Sequence, residues 1–208
     1  GMALEALIIY ASVFPRRGGA TLAGINAAIE WATYGNDGIP NTGDEADVIS
    51  MSLGGGEIYN SPVWRAIKVA SENYGVVFSI SSGNEGNNQL ASMSVGDPGD
   101  APWAITVGAT DPWYTGLDDL MSDEYTSFGP TISLAVKPDV MAPSGTLVLD
   151  YQSGGYTSNP WHGTSFSCPH VSGAIALIID YLRAKGVSKR YFPRIVKAVL
   201  MKTARGLT

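Results

Sequence analysis

Residues 163–173 read Gly-Thr-Ser-Phe-Ser-Cys-Pro-His-Val-Ser-Gly and place a serine where a long apolar helix begins. Behind it, Val171, Ala174, Ile175, Ile178, Ile179 and Leu182 recur at helical spacing. The first backbone N–H groups of a helix have no partner inside it, and the peptide dipoles add partial positive charge there. The oxygen of Ser165 therefore stands beside donors that can stabilise an oxyanion, as acyl transfer requires. The competing reading of an isolated serine at this position is a plain helix cap. A nucleophilic serine also needs a base. The chain has two histidines, His162 three residues before Ser165 and His170 five after. One and a half helical turns separate His170 from Ser165, so its ring should not face the nucleophile oxygen, and His162 is the nearer candidate. Neither histidine has metal-ligand spacing, which argues against zinc. Pro169 is expected in the first helical turn, where its missing N–H costs nothing. Cys168 reads as a small core residue.

The elements that must hold this serine follow from periodicity. Residues 7–13 form a continuous apolar run of strand length and read as a fully buried strand. Residues 21–32 carry Leu22, Ile25, Ile29 and Ala32 on one helical face. Residues 36–45 are rich in Gly, Asn, Asp and Pro and read as a loop. Strands are expected at 48–53, 76–81 and 105–109. Ser61-Pro62 is a cap followed by an N1 proline, with Val63, Ala66, Ile67 and Ala70 behind it and Gly75 as a stop. Pro193 opens a last helix. Strands alternating with helices imply a parallel sheet covered on both faces, with ligands bound at the carboxyl ends of the strands. The loops starting near Gly54 and Ser82 belong at that edge.

Composition fits this picture. The chain has 208 residues, 45% hydrophobic and 15% charged, enough for one domain with a sizeable core. A formal charge of −6 argues against a nucleic acid or an anionic membrane as partner. The apolar run 171–179 ends at Asp180, too short to span a bilayer. One cysteine excludes an internal disulfide.

Residues 163–173 resemble the nucleophile motif of the subtilisin-like serine proteases, the subtilases. Five further segments resemble that family in the same order: 46–55, 82–86, 95–109, 137–145 and 196–200. The resemblance implies an α/β three-layer sandwich, a mostly parallel sheet with helices on both faces. It implies a serine endopeptidase acting on a peptide or protein through an acyl-enzyme on Ser165, with Asn84 as oxyanion-hole donor. Ser52, Leu53 and Gly54 would pair with an extended substrate, Gly83 would line the opposite wall, and Gly96 would floor the specificity pocket. Asp97 beside it could favour Lys or Arg at P1. By the same resemblance His170 packs within its helix, and secretion is the common location. Calcium is admitted by the family, though its strongest site uses the loop just before Gly1. No other cofactor is implied.

The family's catalytic aspartate and histidine precede the serine, in motifs that this sequence does not contain. Residues 1–208 thus resemble a single partial catalytic domain without the N-terminal part that carries them. The isolated chain is expected to be inactive or very weak, and a non-catalytic peptide-binding role is the alternative. An esterase would need a Gly-x-Ser-x-Gly elbow, which Ser165 lacks. The family's aspartate-bearing strand runs between the strands matching 7–13 and 48–53. Its absence predicts unpaired edges, met by the missing N-terminal segment, by a strand-swapped dimer, or by movement of the first strand.

Overall fold

The computed structural model describes residues 2–56, 58–87, 93–110, 125–150 and 152–206. Thr21 caps α1 (Leu22–Tyr34), its Oγ1 accepting the Gly24 N–H at 3.0 Å. Strand β1 (Val48–Met51) follows. Ser61 Oγ accepts the Val63 N–H at 3.1 Å to open α2 (Pro62–Tyr74), and Gly75 closes it at φ 72°, a left-handed conformation suited to glycine. Then come β2 (Val77–Ser81), β3 (Ile105–Thr110) and β4 (Val140–Pro143). The four strands are parallel in the order β1-β2-β3-β4, with Val48 beside Val77, Ser79 beside Ile105 and Val107 beside Val140. A short hairpin, β5 (Leu149–Asp150) and β6 (Gly155–Tyr156), leads to α3 (Thr164–Ala184). A 3-10 turn at Lys189–Tyr191 and α4 (Phe192–Thr203) close the fold.

Strand alternation divides the core in two. Phe78 and Ile80 of β2 point toward α1 and α2, where they meet Ile25, Ile29, Val63 and Ile67. Val77, Ile105, Val107 and Val140 point the other way, onto Cys168, Val171, Ile175 and Ile179 of α3 and Val196 of α4. This is the expected α/β sandwich. Helix α3 is long and apolar enough to cross a membrane by length and composition. Here it packs beneath all four strands.

The first expected strand is not formed. Leu7 and Ile8 are 89% and 88% exposed, and Tyr10 is similarly bare. A continuous apolar run becomes a buried strand only if a neighbour takes up its backbone groups. Among the described residues, 7–13 join no sheet, and β1 is an edge with one side unpaired. The chain is held on either side of residues 7–10 instead. Met2 lies against Gly173 of α3, and Val13 packs on the α1–α2 core.

Candidate active site

Helix α3 begins one residue earlier than the periodicity suggests, so Ser165 is its second residue. Gly163 precedes the helix at φ 136°, a backbone that side chains rarely adopt, and its N–H donates to the Tyr125 hydroxyl at 2.8 Å. The first helical N–H, on Thr164, donates to Asn84 Oδ1 at 2.9 Å, and the Thr164 hydroxyl donates to the same oxygen at 3.1 Å. With its carbonyl oxygen held there, Asn84 presents its amide N–H₂ as a donor. The next backbone N–H, on Ser165 itself, and the Ser165 Oγ have no hydrogen-bond partner among the described residues. One polar cradle thus joins a half-buried serine hydroxyl, its own N–H and an exposed side-chain amide. Donors fixed before reaction are what stabilise charge on an attacked carbonyl.

Pro169 is the sixth residue of α3, in its second turn rather than its first. Lacking an N–H, it leaves the carbonyl of Ser165, four residues earlier, without its helical partner. Ser52 Oγ supplies the bond, donating to that carbonyl at 2.8 Å. The loop after β1 is thereby fastened to the start of α3.

Ser165 and Asn84 open into a cleft of about 1140 Å³ at the carboxyl ends of the strands. Ser52, Leu53, Gly54, Gly83 and Gly96 all line it, so every expected site residue is brought to one cleft. The backbone groups of Leu53 and Gly54 make no backbone hydrogen bond among the described residues, which leaves them open to an extended ligand. Gly83 sits at φ 107°, and a Cβ there would lie 2.8 Å from Ser127 Oγ. A Cβ on Gly96 would lie 2.0 Å from the Gly55 carbonyl oxygen, so only glycine fits.

Asp97 does not face the cleft. It is 4% exposed, and Ser61 Oγ donates to its Oδ2 at 2.9 Å on the side of α2. Asp97 is thus neither solvated nor beside the pocket, because the turn that brings Gly96 to the cleft carries the next side chain inward. Among the described residues, the carboxylate that lines the cleft is Glu85, which accepts the Ser127 hydroxyl at 2.9 Å. It lies beside Asn84 in the chain, a signal that sequence reading passed over. Phe14, Met93 and Ser94 also line the cleft, and nothing in their local pattern marked them.

His170 falls as its spacing implied, and His162 does not. His170 Nδ1 meets the Phe166 carbonyl at 2.8 Å within the helix. His162 is exposed ahead of the helix and is not among the residues lining the cleft. Cys168 is fully buried, its thiol donating to the Ser79 carbonyl at 3.2 Å. Among the described residues no group of three or more His, Cys, Asp or Glu could hold a metal ion.

The sequence profile of the subtilase family matches residues 1–208. The chain belongs to the subtilase family. It is 38% identical over 188 residues to pyrolysin of Pyrococcus furiosus, covering 78% of this chain and 13% of that protein. It is 31% identical to serine protease AprX of Bacillus subtilis, covering 86% and 43%. It is 32% identical to an extracellular protease of Xanthomonas campestris pv. campestris, covering 100% and 33%. The subtilase chain thus spans less than half the length of these relatives. Among solved structures, a protease from Pseudoalteromonas arctica superposes with a TM-score of 0.66 at 29% identity, covering 91% of this chain and 53% of that one. The prenylagaramide maturation protease PagA, at 22% identity and a TM-score of 0.67, shares the fold; the match covers 94% of this chain and 62% of that one.

Proposed function

We propose that this subtilase chain supplies the nucleophile half of a serine endopeptidase. Ser165 Oγ attacks the scissile carbonyl of a bound peptide and forms an acyl-enzyme, which water then hydrolyses. The Ser165 N–H and the Asn84 amide stabilise the oxyanion. Leu53 and Gly54 pair with the extended substrate backbone, Gly83 forms the facing wall and Gly96 leaves the floor open for the P1 side chain. The observation that carries this reading is the Thr164–Asn84 contact, which occupies the Asn84 carbonyl oxygen and leaves its amide N–H₂ to donate beside the Ser165 hydroxyl that lines the same cleft.

The base is not His170, whose ring is turned to Phe166. In our reading it is a histidine on polypeptide outside residues 1–208, with an aspartate to orient it. The unpaired side of β1 is where such a segment would add as a strand. Residues 1–208 alone are then inactive or very weak. The peptide-binding alternative keeps the cleft but leaves the Ser165 hydroxyl without use. The extracellular protease among the relatives supports secretion.

Hydrolysis of an unfolded protein by the natural polypeptide containing this chain separates the two. Turnover that Ser165→Ala abolishes, with substrate binding retained, supports the endopeptidase. Equal turnover by the variant contradicts it.

A further inference from the structure

The turn beneath the cleft buries two carboxyl groups that the reaction does not use. Asp97 is 4% exposed and Asp100 0%. Each has one satisfied oxygen: Ser61 Oγ donates to Asp97 Oδ2 at 2.9 Å, and Trp64 Nε1 donates to Asp100 Oδ1 at 2.8 Å. Their other oxygens, Asp97 Oδ1 and Asp100 Oδ2, are buried without a partner. Ser61 and Trp64 stand one turn apart at the start of α2, and the Asp100 N–H closes a turn onto the Gly96 carbonyl at 3.2 Å, so the two carboxyls are neighbours. Two ionised carboxylates here would each hold a buried lone oxygen and would repel one another. The charged groups acting on the pair are its own two members and Lys137. Lys137 is already committed, at 2.6 Å to Asp139 Oδ2 and at 3.0 Å to the Ala104 carbonyl.

A shared proton resolves this, because the O–H of one carboxyl can donate to the other's orphaned oxygen. The pair is also one peptide away from the cleft. The Asp97 carbonyl accepts the Gly55 N–H at 2.9 Å, the Asp100 N–H donates to the Gly96 carbonyl at 3.2 Å, and Gly96 abuts Gly55. We propose that Asp97 and Asp100 are a proton-sharing positioning pair that fixes the floor of the substrate cleft, tight when the pair holds a proton from solvent and looser when it does not.

Burial raises both carboxyls above their ordinary range, Asp100 to about 6. A raised folded-state pKa gives stability that is complete below the unfolded value and is lost as pH rises through the folded one. For Asp100 that window runs from the ordinary carboxylate range up to about 6.

The test compares the chain with Asp100→Asn and Asp97→Asn between pH 4.5 and 7.5. Urea unfolding and the exchange protection of the Gly55 N–H are both read. Asn at 100 keeps an acceptor for Trp64 and adds a permanent N–H donor toward Asp97. Asn at 97 keeps the Ser61 acceptor in the same way, so the result does not hang on one variant folding. Groups outside the pair titrate alike in all three proteins, and the difference isolates it. Between the two pH values the wild-type unfolding constant should rise about tenfold or more, with Gly55 protection falling in step. Both slopes should flatten in each variant. An unchanged slope in the variants overturns the proposal, as does a Gly55 protection that ignores pH. So does a pair held by a cation, seen as sodium or calcium restoring wild-type stability at pH 7.5 without restoring that of the variants.

Discussion

At the residue scale, the reactivity assigned to Ser165 comes from its neighbours' hydrogen bonds. Thr164 holds the Asn84 oxygen with both its N–H and its hydroxyl, which fixes which end of the amide faces the cleft. Asn84→Ala removes that donor and should lower turnover of the complete enzyme by about 10²–10³, a range taken from within this family, with little change in KM. A loss confined to KM would mean that Asn84 binds substrate and not the transition state. Glu85 is an acid that touches the cleft, and it is exposed, so solvent screens it. Glu85→Gln should cut the ratio of kcat/KM for Lys over Glu at P1 by roughly three- to tenfold. Asp97 is turned away toward Ser61 and should leave that ratio alone. Alternation along a turn could not be read from sequence, which is why Asp97 was considered beside the pocket at all.

At the scale of elements, local signals served where a single residue type enforces the geometry. Ser61-Pro62 and Gly75 bound α2 as expected, and the apolar faces of α1 and α3 are those that meet the sheet. They failed for residues 7–13, because whether an apolar run is a strand depends on a neighbour far away in the chain. They failed for Pro169 too, since nothing local reveals that Ser52 takes over the donor role the proline lacks. The loops after β1 and β2 meet through glycine. Gly96→Ala would drive a Cβ into the Gly55 carbonyl. It should destabilise the fold by about 1–3 kcal/mol in urea unfolding, the usual size for overpacking. It should also narrow P1 preference toward small side chains. Unaltered stability would show that the two loops part without cost.

At the scale of the whole molecule, the sheet order, the two-sided core and the gathering of Ser165, Asn84, Ser52, Leu53, Gly54, Gly83 and Gly96 into one cleft were all legible, because they rest on motifs spread along the chain. The network of Lys137, Asp139 and Lys197 that ties β3, β4 and α4 together was not. Its members carry no periodic signal, and burial, helped by the Lys197 charge, lowers the Lys137 ammonium to about 8 despite Asp139. On the proposed reading, Ser165 becomes reactive through a histidine from elsewhere in the polypeptide. The most direct measurement is intact mass after exposure to a fluorophosphonate serine probe, on residues 1–208 alone and on the longer natural polypeptide, each with its Ser165→Ala control. The expected result is one adduct per longer polypeptide, absent in its control, and no adduct on residues 1–208. Rapid stoichiometric labelling of Ser165 in residues 1–208 alone would contradict the outside base, and an unlabelled longer polypeptide would contradict the nucleophile.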